Sequence, residues 1–223
     1  MTHRKIERSD VLNFFEYEKV RAEMRARIIE LKRIRRVTVG RHLSFVFENR
    51  DTVLFQIQEM CRVERITDGA KIQDEIDVYN ALLPAPNELS ASLFIEITEK
   101  EEIQPVLDRF MGIDLGPTVW MQVGKEFAVP GAFEPGHSDE DKGKLSAVHF
   151  VRFAFSPEVA RAFAGSPVSL VVDHPAERGR VELSPETKAG RGVCPARPWM
   201  ISPALPRLSC CASSLRRADS RSR

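Results

Sequence analysis

Cysteine is almost missing from the first 188 residues: Cys61 stands alone there, and Cys194, Cys210 and Cys211 all follow residue 189. One cysteine in a body of that size excludes a disulfide framework and fits a reducing compartment. Cys210 and Cys211 are adjacent, which suits neither zinc-ligand spacing nor a redox pair. No apolar run reaches the roughly 18 residues that a membrane helix needs. The start, Met1-Thr2-His3-Arg4-Lys5-Ile6-Glu7-Arg8, carries charge with no apolar stretch behind it, so no secretory signal is expected. The phosphate loop, G-x-G-x-x-G, H-E-x-x-H, C-x-x-C and G-x-S-x-G signatures are all absent. Together these absences lead to the expectation of a cytoplasmic protein that does not enter a membrane.

What is present is an ordinary globular composition, 43% hydrophobic and 29% charged over 223 residues. The net charge of +1 hides an asymmetry. Residues 1–188 hold 26 basic and 31 acidic residues, a net of −5. From Ala189 onward there are seven Arg, no Lys and one acid, Asp219. Prolines and serines also crowd the segment after Gly190, and no helical or strand period survives in Arg191-Gly192-Val193-Cys194-Pro195-Ala196-Arg197-Pro198-Trp199. Such a switch is what a G+C-rich gene gives when read out of frame. The expected organisation is a single domain over 1–188 and a basic tail over 189–223, disordered and of frameshift origin. A native basic tail able to bind nucleic acid or acidic lipid is the alternative.

Within the body, Ser9-Asp10 offers a cap, and Val20, Met24, Ile28 and Leu31 share one face, predicting a long N-terminal helix to about Arg36. Leu43, Phe45 and Phe47 alternate and predict a strand over 42–48. Helices are expected over 52–66, with Val53, Ile57, Met60 and Cys61 inward, and over 70–82. Strands are expected over 89–97, 118–123, 146–155 and 167–172. Ser156-Pro157 opens a short helix, with Ser as cap and Pro at its first position. Residues 128–145 read as a long Pro-, Gly- and charge-rich loop. Connections this short favour a mixed, mainly antiparallel β-sheet packed by several helices, an α+β fold.

Candidate site residues fall in three groups. Glu48, Asn49, Arg50 and Asp51 form the densest polar cluster beside a strand end. The carboxylates could serve as acid/base groups or cation ligands and Arg50 as an anion clamp. The competing structural reading has Asn49 or Asp51 capping the next helix. Gln56 and Glu59 decorate that helix, where a solvated face competes with an inward pocket. His149, His174 and His137 are the metal candidates: His149 shares the inward face of its strand, His174 follows Asp173 at a strand end, and His137 sits in the long loop. Glu134-Pro135-Gly136-His137 has the Glu-x-x-His spacing, but Pro and Gly forbid the helix that spacing needs. A fourth feature, Lys32-Arg33-Ile34-Arg35-Arg36 with Arg41, is a basic patch without interleaved aromatics, a weak basis for nucleic-acid binding.

Glu16-Tyr17, Arg21, Arg25, Leu31-Lys32, Arg36-Val37, Gly40 and the block from Phe47-Glu48-Asn49-Arg50-Asp51-Thr52-Val53 through Gln56-Ile57-Gln58-Glu59-Met60 resemble a bacterial family, Domain of Unknown Function 3501. Trp120-Met121-Gln122-Val123, 146–153 and Asp173-His174-Pro175 continue the resemblance, which covers about 6–188 and leaves out the tail. No activity, substrate or cofactor comes with it. The genes of that family often lie beside those of rubrerythrin and iron–sulfur oxidoreductases, so the resemblance implies redox or oxidative-stress physiology and redox protein partners. The resulting expectation is an accessory binding domain working with a redox system. The alternatives are a metal-dependent enzyme or metal-binding protein using His149 and His174 with nearby carboxylates, and nucleic-acid binding through 33–41.

Overall fold

Alternating apolar residues build two antiparallel sheets, and a computed structural model shows how they meet. It describes residues 4–136, 138, 139 and 144–189. The first sheet runs in the order β1 (Arg36–Val39), β2 (Leu43–Phe47), β3 (Glu88–Ile95), β9 (Val148–Ala154), β6 (Ala132–Phe133). The second runs β11 (Glu177–Glu182), β10 (Val168–His174), β4 (Val119–Val123), β5 (Phe127–Pro130). A two-stranded ribbon, β7 (Ser138–Asp139) with β8 (Lys144–Leu145), completes the described strands. Every described pairing is antiparallel.

The inward side chains of both sheets share one core that includes Phe45, Leu93, Met121, Phe153 and Leu170. Helices α4 (Ile103–Arg109) and α5 (Pro157–Gly165) add Val106, Val159 and Phe163 to it. The other face of the first sheet is covered by α1 (Phe14–Arg35), α2 (Arg50–Val63) and α3 (Gly69–Asn80), whose own core holds Tyr17, Met24, Ile57, Cys61 and Ile76. Phe150, pointing out of β9, packs against this helical core. Strand β2 is buried at all five positions, with Leu43, Phe45 and Phe47 in the core between the sheets. Among the described residues no helix is long and apolar enough to cross a membrane.

Residues 127–133 join the sheets on one side. The chain pairs with β4 as β5, bends at Gly131, and pairs with β9 as β6. The Gly131 N–H donates to the Val119 carbonyl at 2.8 Å. A Cβ at this position would stand 2.6 Å from Val151 Cγ2 and 3.1 Å from the Val119 oxygen. Gly131→Ala is expected to destabilise by about 1–3 kcal/mol through overpacking. An unchanged urea midpoint would show that the crossing can yield. On the opposite side the edge strands β1 and β11 meet through the β1–β2 turn. Glu177 lies over Gly40, whose φ of +65° favours glycine, and its carboxylate accepts the Arg41 N–H at 3.0 Å. Helix α6 (Pro185–Ala189) follows, with Thr187 donating to the Ile34 carbonyl at 2.8 Å.

Several expectations shift. The long helix begins at Phe14 with Asn13 as its cap, and Ser9-Asp10 instead lie in a 3-10 turn over Arg8–Asp10. The Asp10 carboxylate there is drawn to Arg4 and Arg50. The expected loop over 128–145 contains four short strands, and a further strand, β11, follows His174. The expected tail lies, from residue 190 onward, outside the described residues.

Candidate functional site

The cluster at 48–51 caps and anchors α2. Asn49 accepts the Thr52 N–H at 2.9 Å, and the Asn49 N–H returns to Thr52 Oγ1 at 2.9 Å. This reciprocal box starts the helix. Glu48 is buried, its carboxylate held by the hydroxyls of Ser92 (2.7 Å) and Thr52. Asp51 accepts from Arg27 at 3.0 Å. Arg50 Nη2 stands 2.6 Å from Asp10 Oδ2, a close ion pair whose angle is off that of an aligned hydrogen bond. The structure thus puts these four residues at one strand–helix junction and gives each carboxylate a partner.

Arg35 belongs to the same junction. It lies on the buried face of α1, one turn beyond Leu31. Its guanidinium donates to the carbonyls of Phe47 (2.6 Å) and Glu48 (2.8 Å), where β2 ends. The helical spacing of Met24, Ile28, Leu31 and Arg35 was the signal for this role, obscured by the arginines around it.

Glu59 organises a second network. Arg21 donates to it bidentately at 2.8 and 2.9 Å, and the Tyr17 hydroxyl adds 2.7 Å. Arg62 stands further off, at 3.3 and 3.4 Å. The hydrogen bonds from Arg21 first, then those from Tyr17 and Arg62, outweigh burial and hold the Glu59 carboxyl at about 2. Burial and the Glu59 charge push the Tyr17 hydroxyl upward. Gln56 sits half-buried on the neighbouring turn and faces the Tyr79 hydroxyl.

The histidines go separate ways. His149 on β9 is buried, with Nε2 2.8 Å from the Ser146 carbonyl and Nδ1 3.7 Å from Asp114 Oδ2. Asp114 also accepts from Ser138. His174 on β10 accepts the Ala176 N–H at Nδ1 (3.2 Å), so the ring proton is on Nε2, directed at the Met111 carbonyl (3.3 Å). Its ring stacks on Phe110. His137 lies outside the described residues. Among the described residues, no three His, Cys, Asp or Glu side chains gather in a group that could hold a metal ion. Within the basic patch Arg33 pairs with Glu30, Arg36 pairs with Glu96, and Arg35 is buried.

A recess of about 70 Å³ opens where the 3-10 turn over Arg8–Asp10 meets the first turn of α1, the end of α2 and the start of α3. Leu12, Phe14, Ile66 and Ile72 are the apolar part of its lining, Tyr17, Gln58 and Cys61 its buried part, and Arg8 and Arg62 its charged part. Gln58 is spent on the Leu12 backbone, accepting its N–H at 2.6 Å and donating to its carbonyl at 3.2 Å. Burial pushes the Cys61 thiol up, away from the reactive thiolate. Phe14, which lines the recess, is 40% exposed, and its neighbour Phe15 is 77% exposed, their rings edge to face at 5.8 Å. Sequence reading passed over this recess because its residues come from four segments.

The chain resembles a solved structure, a novel protein of unknown function from Burkholderia pseudomallei K96243, with a TM-score of 0.77 and 33% identity over 83% of this chain and 96% of that one. No curated protein matches. A family model described as "Protein of unknown function (DUF3501)" matches residues 5–190. The family match spans both sheets, the helical layer and its recess, and the chain belongs to the DUF3501 family of proteins of unknown function.

Proposed function

We propose that this protein is an accessory binding domain that holds a partner protein on its helical layer, at the first turn of α1. The observation that carries the reading is the exposed aromatic pair. Phe14 lines the recess, Phe15 follows it in the first turn of α1, and Phe15 keeps more than three quarters of its surface in water. Adjacent exposed aromatics at the mouth of a concave, part-charged site have the makeup of an interaction hot spot. The gene neighbourhood implied by the resemblance makes a cytoplasmic redox protein, of the rubrerythrin or iron–sulfur oxidoreductase kind, the first partner to test. The family match stops at residue 190, which supports placing the binding function before the basic tail.

Affinity isolation of the chain from its own cells, with mass spectrometry and iron analysis of what is retained, tests this. A near-stoichiometric redox protein is expected with the native sequence, with about tenfold or greater loss on Phe15→Asp. Phe15 is too exposed for that change to disturb the fold by more than about 0.5 kcal/mol. Equal recovery with both proteins would remove the reading.

A further inference from the structure

Two guanidinium groups on the recess have donors to spare. Among the described residues Arg8 makes no ion pair, and its guanidinium donates to the Val11 carbonyl at 3.0 Å. Arg62 faces Glu59, but Arg21 and Tyr17 occupy that carboxylate at 2.7–2.9 Å and leave Arg62 beyond 3.2 Å. Its other carboxylate, Glu18, is 4.0 Å away. Leu12, Phe14, Ile66 and Ile72 line the same recess, and the volume of about 70 Å³ suits one side chain rather than a cofactor.

From this geometry we infer that the recess recognises an aliphatic side chain beside a carboxylate, as presented by the free C-terminus of a partner polypeptide ending in Leu, Val or Ile. The side chain enters between Leu12, Phe14, Ile66 and Ile72. The carboxylate takes the unused N–H groups of Arg8 and Arg62, where charge-assisted and bidentate hydrogen bonds are strong. Capture of a terminal carboxylate is an established way of reading peptides. The inference rests on the docking reading above and specifies what the partner offers to it.

The test uses the tripeptide Gly-Gly-Leu and its C-terminal amide, identical in shape but differing in charge. Each is titrated into the full chain while the backbone amides of Leu12, Phe14, Gln58 and Ile72 are followed by NMR. Gly-Gly-Leu should shift these signals, and the amide should bind about tenfold more weakly or not at all. Arg8→Gln and Arg62→Gln should each bring the free acid down to the level of the amide. The comparison on the native chain does not depend on either variant folding. Absent shifts, or equal binding of acid and amide, overturn the inference. In that event, continued loss of the native partner on Phe15→Asp would leave the docking reading standing, so the two failures are distinguishable.

Discussion

Arg35→Met lowers the unfolding free energy by about 3–4 kcal/mol, the largest single effect expected outside the apolar cores. The side chain is 3% exposed and donates to two carbonyls at the end of β2. Methionine fills much of the same space but donates nothing. The carbonyls of Phe47 and Glu48 would lose these charged donors, at about 1–3 kcal/mol per buried group left unsatisfied. Urea unfolding should show the midpoint falling by about 1–2 M with an unchanged slope. Glu48→Gln in the same background should then cost less than it does alone, because Arg35 and Glu48 brace the same end of β2. Strictly additive losses would show that the two side chains act independently.

Between pH 5 and pH 2, stability should fall by about 2–3 kcal/mol more in the native protein than in Glu59→Gln. The Glu59 carboxyl is lowered from 4.5 to about 2 in the folded protein. A lowered folded value means that the folded state binds the proton less well than the unfolded chain does. Its contribution is therefore complete above the unfolded value and is lost as pH drops toward the folded one. A full shift of that size corresponds to about 3 kcal/mol. Solvent contact at the Glu59 side chain, which is 20% exposed, trims the figure. Urea midpoints measured along the pH series give the comparison. Parallel acid limbs for the two proteins would place the sensitivity elsewhere.

The elements readable in advance were those whose burial follows one period. Leu43, Phe45 and Phe47 alternate, Val20 to Leu31 keep a helical face, and Ser156-Pro157 announces its helix, so sheets, layers and the α+β class were legible. Strand β11 was not. As Glu177–Glu182 on a sheet edge, it reads as a polar stretch, with only its alternate residues partly sheltered. Strands β5 and β6 were hidden by Pro130, Gly131 and their charged neighbours, although Phe127 and Val129 already alternate. At the site, Asn49 was legible as a cap because capping is local. Glu59 was legible only as a partner of Arg62, because Arg21 and Tyr17 reach it from a separate helix. No periodicity could have put Arg8, Phe14, Gln58 and Ile72 around one recess, since that is decided by how the helices pack.

The strand over 127–133, held in both sheets, sets a schedule for synthesis on the ribosome. The first sheet closes only when Val148–Ala154 is available to pair with both Glu88–Ile95 and Ala132–Phe133. The second waits for Val168–His174 to join Val119–Val123, and then for Glu177–Glu182. The helical layer is complete in sequence by Asn80, but the sheet it covers is not. A nascent chain therefore carries exposed apolar strands for most of its length, and pairings this distant in sequence form slowly.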